Sequence, residues 1–324
     1  MDGFIEVTAL RKYYPLGRGK LLKAVDDVSF TIRRGEVLGL VGESGCGKST
    51  VGRLLLRLLS PTSGTVNFDG IDITALPAEE MRRMRRRMQI VFQDPYSSLN
   101  PRMTIGATLV FPMKVQRLHR GEEEDRAVDL LSRVGLNRSA MNRYPHEFSG
   151  GQLQRIGIAR ALAVEPDFIV GDEPVSALDV SIQSQVLNLF KDLQEELQLT
   201  SLFISHNLSV VEFLCDRVAV LYMGKLAEVA PVKSLFSEAR HPYTQSLLAA
   251  ILQPDPDIER NKPPLALRGE ISTPIDPPPG CRFYARCPHR MDVCQHRDPP
   301  TVRIDSEHEV ACWLHVDDKA ALAA

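Results

Sequence analysis

The chain has 324 residues, more than one compact core usually organises, so we expect a large domain with an appendage. Hydrophobic residues make up 44% and charged residues 25%, which are globular values. The 39 Lys and Arg and 41 Asp and Glu give a formal net charge of −2, so no global basic field indicates nucleic acid as a partner. The apolar runs are strand-sized and the start lacks an apolar signal core, so we expect a chain that is neither secreted nor membrane-spanning.

Two segments near the start alternate apolar and polar residues, Ile5 to Leu10 and Val25 to Ile32. This period of two predicts strands, which we expect to pair antiparallel. A polar, glycine-rich connection between them carries Tyr13 and Tyr14. A tyrosine ring near a nucleotide site can stack on the adenine face, and we favour Tyr14 over Tyr13 for this contact. A tyrosine that only anchors the loop is the alternative.

A glycine-rich loop follows, Gly42 to Thr50, with the pattern G-x-x-x-x-G-K-S. The apolar run before it predicts a buried strand, and we expect a helix from Lys48 to Leu59. Glycines let successive backbone N–H groups point at a phosphate at the start of that helix. We expect Lys48 to bind the β- and γ-phosphates, Ser49 to ligate Mg²⁺ and Thr50 to donate to a phosphate. The loop positions expected to bind nucleotide are Gly42, Ser44, Gly45, Cys46, Gly47, Lys48, Ser49 and Thr50.

The next elements are short. The glycine-bounded run Gly64 to Gly70 predicts a strand, and the basic turn Met81 to Arg87 is interpreted as a solvated helix face. A strand predicted over Met88 to Phe92 ends at Gln93, followed by a proline that stops regular structure. The amide oxygen of Gln93 can reach Mg²⁺ or an attacking water.

Residues Pro95 to about Tyr144 indicate loops and helices, with apolar periodicity from Asp125 to Val134. We interpret this block, about 95–163, as an inserted helical subdomain. It contains Ser149-Gly150-Gly151-Gln152, in which Ser149 and Gln152 have the spacing of a capping box. Two adjacent glycines are poor helix formers, but they suit a backbone that approaches an anion closely. We therefore predict a second phosphate-binding helix start.

An apolar strand predicted over Pro166 to Asp172 ends in the carboxylates Asp172 and Glu173. Adjacent residues of a strand point to opposite faces, so the two carboxylates cannot share one role. We expect Asp172 to hold Mg²⁺ and Glu173 to polarise the water that attacks the γ-phosphate.

A turn, Ser176 to Asp179, follows and precedes a helix predicted from Val180 to Leu197. Thr200 to Ser205 is a further predicted strand, buried, and it ends at His206. A lone histidine is usually structural. Because His206 directly follows the strand, it can instead hydrogen-bond a γ-phosphate.

From about Phe4 to Leu252 the chain resembles the nucleotide-binding subunits of ABC transporters, because the motifs above occur in that family's order. The motifs are the phosphate loop, Gln93, Ser149-Gly150-Gly151-Gln152, Asp172-Glu173, Ser176 to Asp179 and His206. The resemblance implies a P-loop ABC ATPase: an α/β core, mainly parallel, with an antiparallel β-subdomain and an inserted α-helical subdomain, in residues 1–252. Phe148 stands where the family's signature commonly begins with leucine, an apolar exchange that leaves function intact.

The family resemblance also implies a mechanism. Each ATP, with Mg²⁺ held by Ser49, Gln93 and Asp172, lies head to tail between the phosphate loop of one subunit and the Ser149 segment of another. The implied catalytic residues are Glu173, His206, Gln93 and Lys48, and Asp179 joins the nucleotide site. Two ATP molecules close the dimer and hydrolysis reopens it, which moves membrane partners that dock near Pro95 to Met103.

Within that family the chain looks like the ATPase subunits of oligopeptide and dipeptide importers. The segments that carry this are Ser97 to Arg102, Asp172 to Val180 and His241 to Thr244. The resemblance implies two permease subunits, a second ATPase subunit that is a related sister or a second copy, and an extracytoplasmic solute-binding protein. It places the chain on the cytoplasmic face of the inner membrane. Importers of nickel, glutathione, opines or sugars would look alike from this chain.

The C-terminal region changes composition. Residues 253–280 are rich in proline, which suits an extended linker, and residues 281–324 form a Cys-rich extension. Its cysteines are spaced C-x5-C-x6-C-x17-C and are Cys281, Cys287, Cys294 and Cys312. Zinc, an iron–sulfur cluster and metal-free thiols all stay open on spacing alone. The importer resemblance favours a [4Fe–4S] cluster, whereas zinc could also recruit His289, His296 or His315.

Two other classes of protein compete with an importer subunit. Soluble ABC ATPases of translation or DNA repair commonly carry two cassettes or a long coiled coil, and this chain has one set of motifs and no long heptad run. A nucleotide-dependent regulatory module that does not hydrolyse ATP is the second rival. Glu173 at the catalytic position argues against it.

Overall fold

The computed structural model describes residues 3–251 and 274–316, which form two β-sheets with helices on and between them. The strands are β1 (Ile5–Gly17), β2 (Lys20–Ile32), β3 (Val37–Val41), β4 (Ser63–Phe68), β5 (Ile71–Asp72), β6 (Met88–Val91), β7 (Phe168–Asp172), β8 (Thr200–Ser205), β9 (Arg217–Tyr222), β10 (Lys225–Pro231), β11 (Thr301–Arg303) and β12 (Glu309–Ala311). The helices are α1 (Lys48–Leu55), α2 (Ala78–Met84), α3 (Pro95–Ser98), α4 (Ile105–Gln116), α5 (Glu123–Arg133), α6 (Gly150–Leu162), α7 (Val180–Leu197), α8 (Leu208–Leu214), α9 (Val232–Glu238), α10 (Pro242–Ala249) and α11 (Asp292–His296). Short 3-10 turns lie at Arg138–Asn142, Pro145–Glu147 and Trp313–His315.

The first sheet is antiparallel, in the order β2-β1-β4-β5. The prediction of a loop between Leu10 and Val25 was wrong, because both strands continue through it to a turn at Arg18 and Gly19, whose φ angles are 51° and 74°. Two consecutive residues with positive φ suit a tight hairpin. Register shifts interrupt β1 four times in its pairing with β2, and such bulges break the alternation by which strands are recognised.

The second sheet has the order β11-β12-β10-β9-β3-β8-β7-β6. The strands β9, β3, β8, β7 and β6 are parallel neighbours, and β10, β12 and β11 continue the sheet antiparallel. Strands β3, β7 and β8 are buried along their whole length, as strands covered on both faces are. The carboxyl ends of β3, β6, β7 and β8 lie at one edge, where ligands bind in open α/β sheets.

Two apolar clusters hold the layers together. One joins the two sheets through α1 and includes Phe4, Leu38, Leu54 and Leu202. The other packs the helices between β6 and β7, together with α7 and α8, on the opposite side and includes Phe283 from the C-terminal region. The C-terminal region is therefore packed into the second cluster.

Four helices, α3 to α6, lie between β6 and β7. The predicted apolar-periodic segment from Asp125 to Val134 corresponds to α5, and α7 has the bounds predicted for it. Helix α1 ends at Leu55, four residues before the predicted Leu59. Arg57 has a φ of 47°, a left-handed value that terminates a helix.

The C-terminal residues extend the core sheet. Strand β12 pairs with β10 at Glu228↔Val310 and Val229↔Glu309, and β11 pairs with β12. Most of the predicted proline-rich linker, residues 253–273 of 253–280, lies outside the described residues, as do residues 317–324 of the predicted extension. The Pro274 carbonyl at its end accepts a hydrogen bond from the Lys23 N–H of β2. Among the described helices, none combines the length and apolarity needed to cross a membrane.

Candidate active site at the edge of the parallel strands

The glycine-rich loop connects β3 to α1, as the sequence predicted. Gly45 and Gly47 have φ angles of 77° and 110°, in the left-handed region that favours glycine. A Cβ at Gly47 would lie 2.2 Å from the Ala24 carbonyl oxygen, so this position has no room for a side chain. Helix α1 has no side-chain N-cap, which leaves its first N–H groups for another acceptor.

Lys48 is buried beneath this loop, with 5% of the residue exposed. Its Nζ donates to the carbonyl oxygens of Gly42, at 2.8 Å, and Glu43, at 3.1 Å. These bonds hold the ammonium group against the loop backbone, where a phosphate cradled by the N–H groups would also lie. Cys46 differs from its neighbours, because its side chain is part of the apolar cluster around α1 and burial raises the pKa of its thiol. Cys46 Sγ also lies 4.0 Å from Lys48 Nζ.

The structure brings together the serine after the loop lysine and the carboxylate at the end of β7. Ser49 Oγ donates to Asp172 Oδ1 at 2.7 Å, although the two residues are 123 positions apart. Asp172 is 6% exposed. A hydroxyl and a carboxylate oxygen side by side are the ligands that a hard cation such as Mg²⁺ prefers. The predicted magnesium residues Ser49 and Asp172 therefore fit that ion chemically.

Glu173 directly follows Asp172, the last residue of β7, and its side chain contacts different residues from those that Asp172 contacts. Its Oε2 is 3.0 Å from His206 Nδ1 and accepts a hydrogen bond from Gln93 Nε2 at 3.4 Å. Its φ of 51° is unusual for a residue other than glycine, and such strain is often found at functional sites. The ends of β6, β7 and β8 thus bring the predicted residues Gln93, Glu173 and His206 into contact.

The predicted second phosphate site lies at the start of α6. Ser149 Oγ accepts from the Gln152 N–H at 3.4 Å, and the Gln152 side chain accepts from the Ser149 N–H at 3.0 Å. The predicted capping box is therefore present. A Cβ at Gly151 would lie 2.3 Å from Ile182 Cγ2 of α7, so this glycine has a packing reason that the sequence did not indicate. A Cβ at Gly150 would make only ordinary contacts.

The remaining predicted nucleotide residues, Asp179 and Tyr14, lie at the start of α7 and on β1. Asp179 is exposed at the N-cap of α7, without a side-chain capping bond. Tyr14 lies on β1, half-buried, with Lys12 Nζ 5.1 Å from its ring centre. Tyr13 instead donates its hydroxyl to Asp26. Burial and that hydrogen bond raise the pKa of Tyr13 to about 12.

The four C-terminal cysteines line one small cavity, beside His241 and His289. Burial raises the pKa of Cys281 to about 12 and of Cys312 to about 11, and neighbouring thiols act in the same direction. In number and softness the four thiols fit a metal or an iron–sulfur cluster, which binds by displacing their protons. Within residues 3–251 and 274–316, no group of three or more His, Cys, Asp and Glu side chains has the spacing of a ready metal site. The ligand of this cavity stays a prediction.

Sequence reasoning missed two aromatic residues next to the loop. The backbone N–H of Glu43 donates to the Tyr243 hydroxyl at 2.9 Å. Tyr243 packs on Tyr222, with ring centres 4.5 Å apart. Tyr243 belongs to the segment His241 to Thr244, which the sequence used only as a mark of one importer branch. That segment could have drawn attention to Tyr243. Nothing in the sequence indicated that Tyr243 contacts Glu43, which lies 200 residues earlier.

Comparison with known proteins agrees with this geometry. The chain is 54% identical over 309 residues to a putative peptide import ATP-binding protein of Brucella abortus, an alignment that covers 95% of this chain and 96% of the relative. The chain belongs to the ABC transporter family. It is also 47% identical over 324 residues to an oligopeptide transport ATP-binding protein of Bacillus subtilis, covering 97% of this chain and 98% of the relative.

Two family models match this ABC family member in separate regions. Residues 25–176 match the ABC transporter model, and residues 227–294 match the model for the C-terminal region of oligopeptide/dipeptide transporters. The second match begins in β10 and ends at Cys294, so it includes three of the four cysteines at the cavity.

Solved structures share the ABC fold. A dimeric ATP-binding cassette in a post-hydrolysis state, bound to ADP and Pi, is 31% identical, with a TM-score of 0.63 over 70% of this chain and 98% of that one. The cbiO1 protein of Clostridium perfringens, part of an ABC transporter complex, is 29% identical, with a TM-score of 0.66 over 74% of this chain and 92% of that one. The α/β P-loop core predicted from the sequence is confirmed.

Proposed function

We propose that this protein is the ATP-hydrolysing subunit that powers a membrane importer for peptides. The observation that carries the proposal is the meeting of three strand ends at Glu173, next to the Ser49–Asp172 pair and the glycine-rich loop. The names of relatives about half identical along nearly the whole chain support peptides as the transported class. The same ATPase role in an importer of another small solute is the alternative.

In this proposal each polar group has one task. Lys48 and the loop N–H groups bind the β- and γ-phosphates, and Thr50 adds a donor. Ser49, Asp172 and Gln93 hold Mg²⁺, which when bound neutralises charge on the phosphate oxygens. Glu173 orients and polarises the attacking water. His206, 3.0 Å from Glu173, hydrogen-bonds the γ-phosphate.

The proposal also includes a second ATPase subunit. Ser149 and Asp179 are exposed, and Gly150 and Gln152 are partly exposed, whereas Gly151 is buried. The accessible residues are therefore free to complete the site of a second subunit across a dimer. Helices α3 to α6 would act as the helical subdomain that presents them. We further propose two permease subunits that dock near Pro95 to Met103, an extracytoplasmic solute-binding protein, and a position on the cytoplasmic face of the inner membrane.

For the C-terminal cavity we propose a [4Fe–4S] cluster held by four cysteine thiolates, with zinc as the alternative. The ligands would be Cys281, Cys287, Cys294 and Cys312. Such a cluster would fasten together a region with little core of its own. Iron, sulfide and zinc content of anaerobically purified protein tests this. About four irons per chain support the cluster, whereas one zinc and no iron would replace it with a zinc site.

Glu173→Gln tests the proposed hydrolysis. The amide keeps the shape of the side chain but loses the charge that polarises water, so we expect the ATPase rate to fall on the order of 100-fold or more. ATP binding should persist, and an ATP-bound dimer should accumulate in gel filtration. Asp192→Asn on α7, away from the strand ends, is the matched control. An unchanged ATPase rate in Glu173→Gln would contradict the assignment.

A further inference from the structure

An arginine from the Cys-rich region reaches the phosphate loop. Arg286 Nη1 lies 2.8 Å from Glu43 Oε2 and Arg286 Nη2 lies 2.9 Å from Glu43 Oε1, a bidentate pair across 243 positions of sequence. The two side chains are 6% and 17% exposed. Glu43 is the second residue of the loop, and its carbonyl oxygen accepts from Lys48. A C-terminal side chain therefore holds a residue of the phosphate-binding loop directly.

The surroundings of Arg286 fix the guanidinium in place. It lies 5.9 Å from the ring centres of both Tyr222 and Phe283, and Nη1 is 3.5 Å from the Tyr222 hydroxyl. Phe283 is 2% exposed. Hydrogen bonds to Glu43 raise the pKa of Arg286 above its usual value, so the group stays charged. Water is largely kept from this pair, which makes its electrostatic effect stronger than that of a surface pair.

A second arginine of the same segment contacts Asp26 of β2. Arg282 Nη2 lies 2.5 Å from Asp26 Oδ2, and the two side chains are 7% and 9% exposed. Asp26 also accepts the Tyr13 hydroxyl, next to the proposed adenine-stacking Tyr14. Burial alone would raise the pKa of Asp26, but the Tyr13 hydrogen bond and nearby cations lower it instead. Both arginines lie between Cys281 and Cys287 in the segment C-R-F-Y-A-R-C.

Because Glu43 is negatively charged, its contact with Arg286 should affect the affinity for ATP. An unpaired carboxylate on a loop that cradles a triphosphate repels it, and the repulsion is strong where water is scarce. Arg286 supplies the compensating charge and fixes the carboxylate in a fork of two hydrogen bonds.

We propose that Arg286 is a positioning residue for the nucleotide site, which neutralises and holds Glu43 so that the phosphate loop accepts ATP. ATP affinity is then set partly by the Cys-rich region and not by the ATPase core alone. This inference rests on the proposed ATP site.

The test compares Arg286→Met, Glu43→Gln and the double variant in the full chain, with Mg-ATP as the probe. We expect Arg286→Met to raise KM for ATP about fivefold, with kcat within about twofold, because it leaves Glu43 unpaired beside the phosphates. Glu43→Gln should lower KM, since it leaves the positive charge of Arg286 uncompensated beside the phosphates. The double variant should return to a KM near that of the unmodified protein.

A purely structural role for Arg286 predicts a different pattern. If Arg286 only docks the C-terminal region, the double variant keeps the high KM of Arg286→Met, and that result would overturn the proposal. An unchanged KM in Arg286→Met, or a raised KM in Glu43→Gln, would overturn it as well. Glu43→Gln leaves the Cys-rich region untouched and so decides the question even if Arg286→Met fails to fold. Arg286→Lys, which keeps the charge, should recover most of the affinity.

Two controls distinguish failure of this inference from failure of the proposed ATPase function. Arg303→Met removes an exposed arginine of the same region, one paired with Glu309, and should leave KM unchanged. Lys48→Ala should abolish Mg-ATP binding. If the unmodified protein bound no Mg-ATP, the proposed function would fail, whereas normal binding with an unaffected Arg286→Met would overturn the inference alone.

Discussion

Helices α1 and α6 are both expected to meet a phosphate at their N-termini, yet they begin in opposite ways. Helix α1 follows two glycines with positive φ, has no side-chain cap and buries Lys48 beside its first turn. Helix α6 begins with a complete capping box at Ser149 and Gln152. The first start leaves its N–H groups for a ligand, whereas the second satisfies the Gln152 N–H with its own cap. We therefore expect α1 to form a phosphate site within one chain, whereas α6 can add the Ser149 hydroxyl to a site elsewhere.

We expect the largest effect on ATP hydrolysis at Lys48, the first residue of the uncapped helix α1. Lys48→Ala removes a buried cation held at 2.8 Å and 3.1 Å from two loop carbonyls. We expect ATP hydrolysis to fall on the order of 100-fold or more, as happens when a positioned charge donor is lost. Steady-state hydrolysis and calorimetric binding of Mg-ATP measure this. Arg53→Ala, an exposed change on the same helix, is the control, and retention of half the activity by Lys48→Ala would contradict the site.

We expect an intermediate effect, on stability, at Gly151 in the first turn of the capped helix α6. An alanine there brings its Cβ to 2.3 Å from Ile182 Cγ2, and a β-branched side chain in a helix has little freedom to move aside. We expect Gly151→Ala to lower the free energy of unfolding by about 1–3 kcal/mol. Urea denaturation measures it. Gly157→Ala in the same helix meets nothing within 4 Å and should be neutral or stabilising, so equal losses in both would refute the packing explanation.

The site at the parallel strand ends could be predicted because local patterns carry it. An apolar run followed by a polar residue indicates the end of a buried strand, and Gln93, Asp172 and His206 each follow one. Parallel strands bring such ends to one edge of the sheet. The order of the elements was therefore enough to predict that these residues lie close together. The capping box at Ser149 and the bounds of α7 were readable for the same reason.

The contacts that were missed depend on distance in sequence or on interrupted patterns. Nothing local links Glu43 to Arg286, which is 243 positions later and close only because aromatic rings pack the C-terminal region on the core. Bulges hid the length of β1, since each one reverses the alternation of faces. Gly151 was readable as a special glycine, but its neighbour Ile182 comes from another helix.

We expect the smallest effect at Ser149. This residue has two proposed roles, which are to cap α6 and to donate a hydrogen bond to a phosphate. Ser149→Ala removes the cap that accepts from the Gln152 N–H, which costs about 1 kcal/mol of unfolding free energy. A hydroxyl can accept this bond and still donate to a phosphate, so we also expect hydrolysis to fall about tenfold.

Ser149→Asp tests the proposed phosphate contact separately from the cap. Aspartate caps a helix as well as serine does, so the free energy of unfolding should stay within about 0.5 kcal/mol of that of the unmodified protein. Its negative charge and lack of a donor should nevertheless repel a phosphate, so hydrolysis should fall below that of Ser149→Ala. If Ser149→Asp kept full activity, Ser149 would be a cap only, and the comparison between α1 and α6 would reduce to one phosphate site and one ordinary helix start.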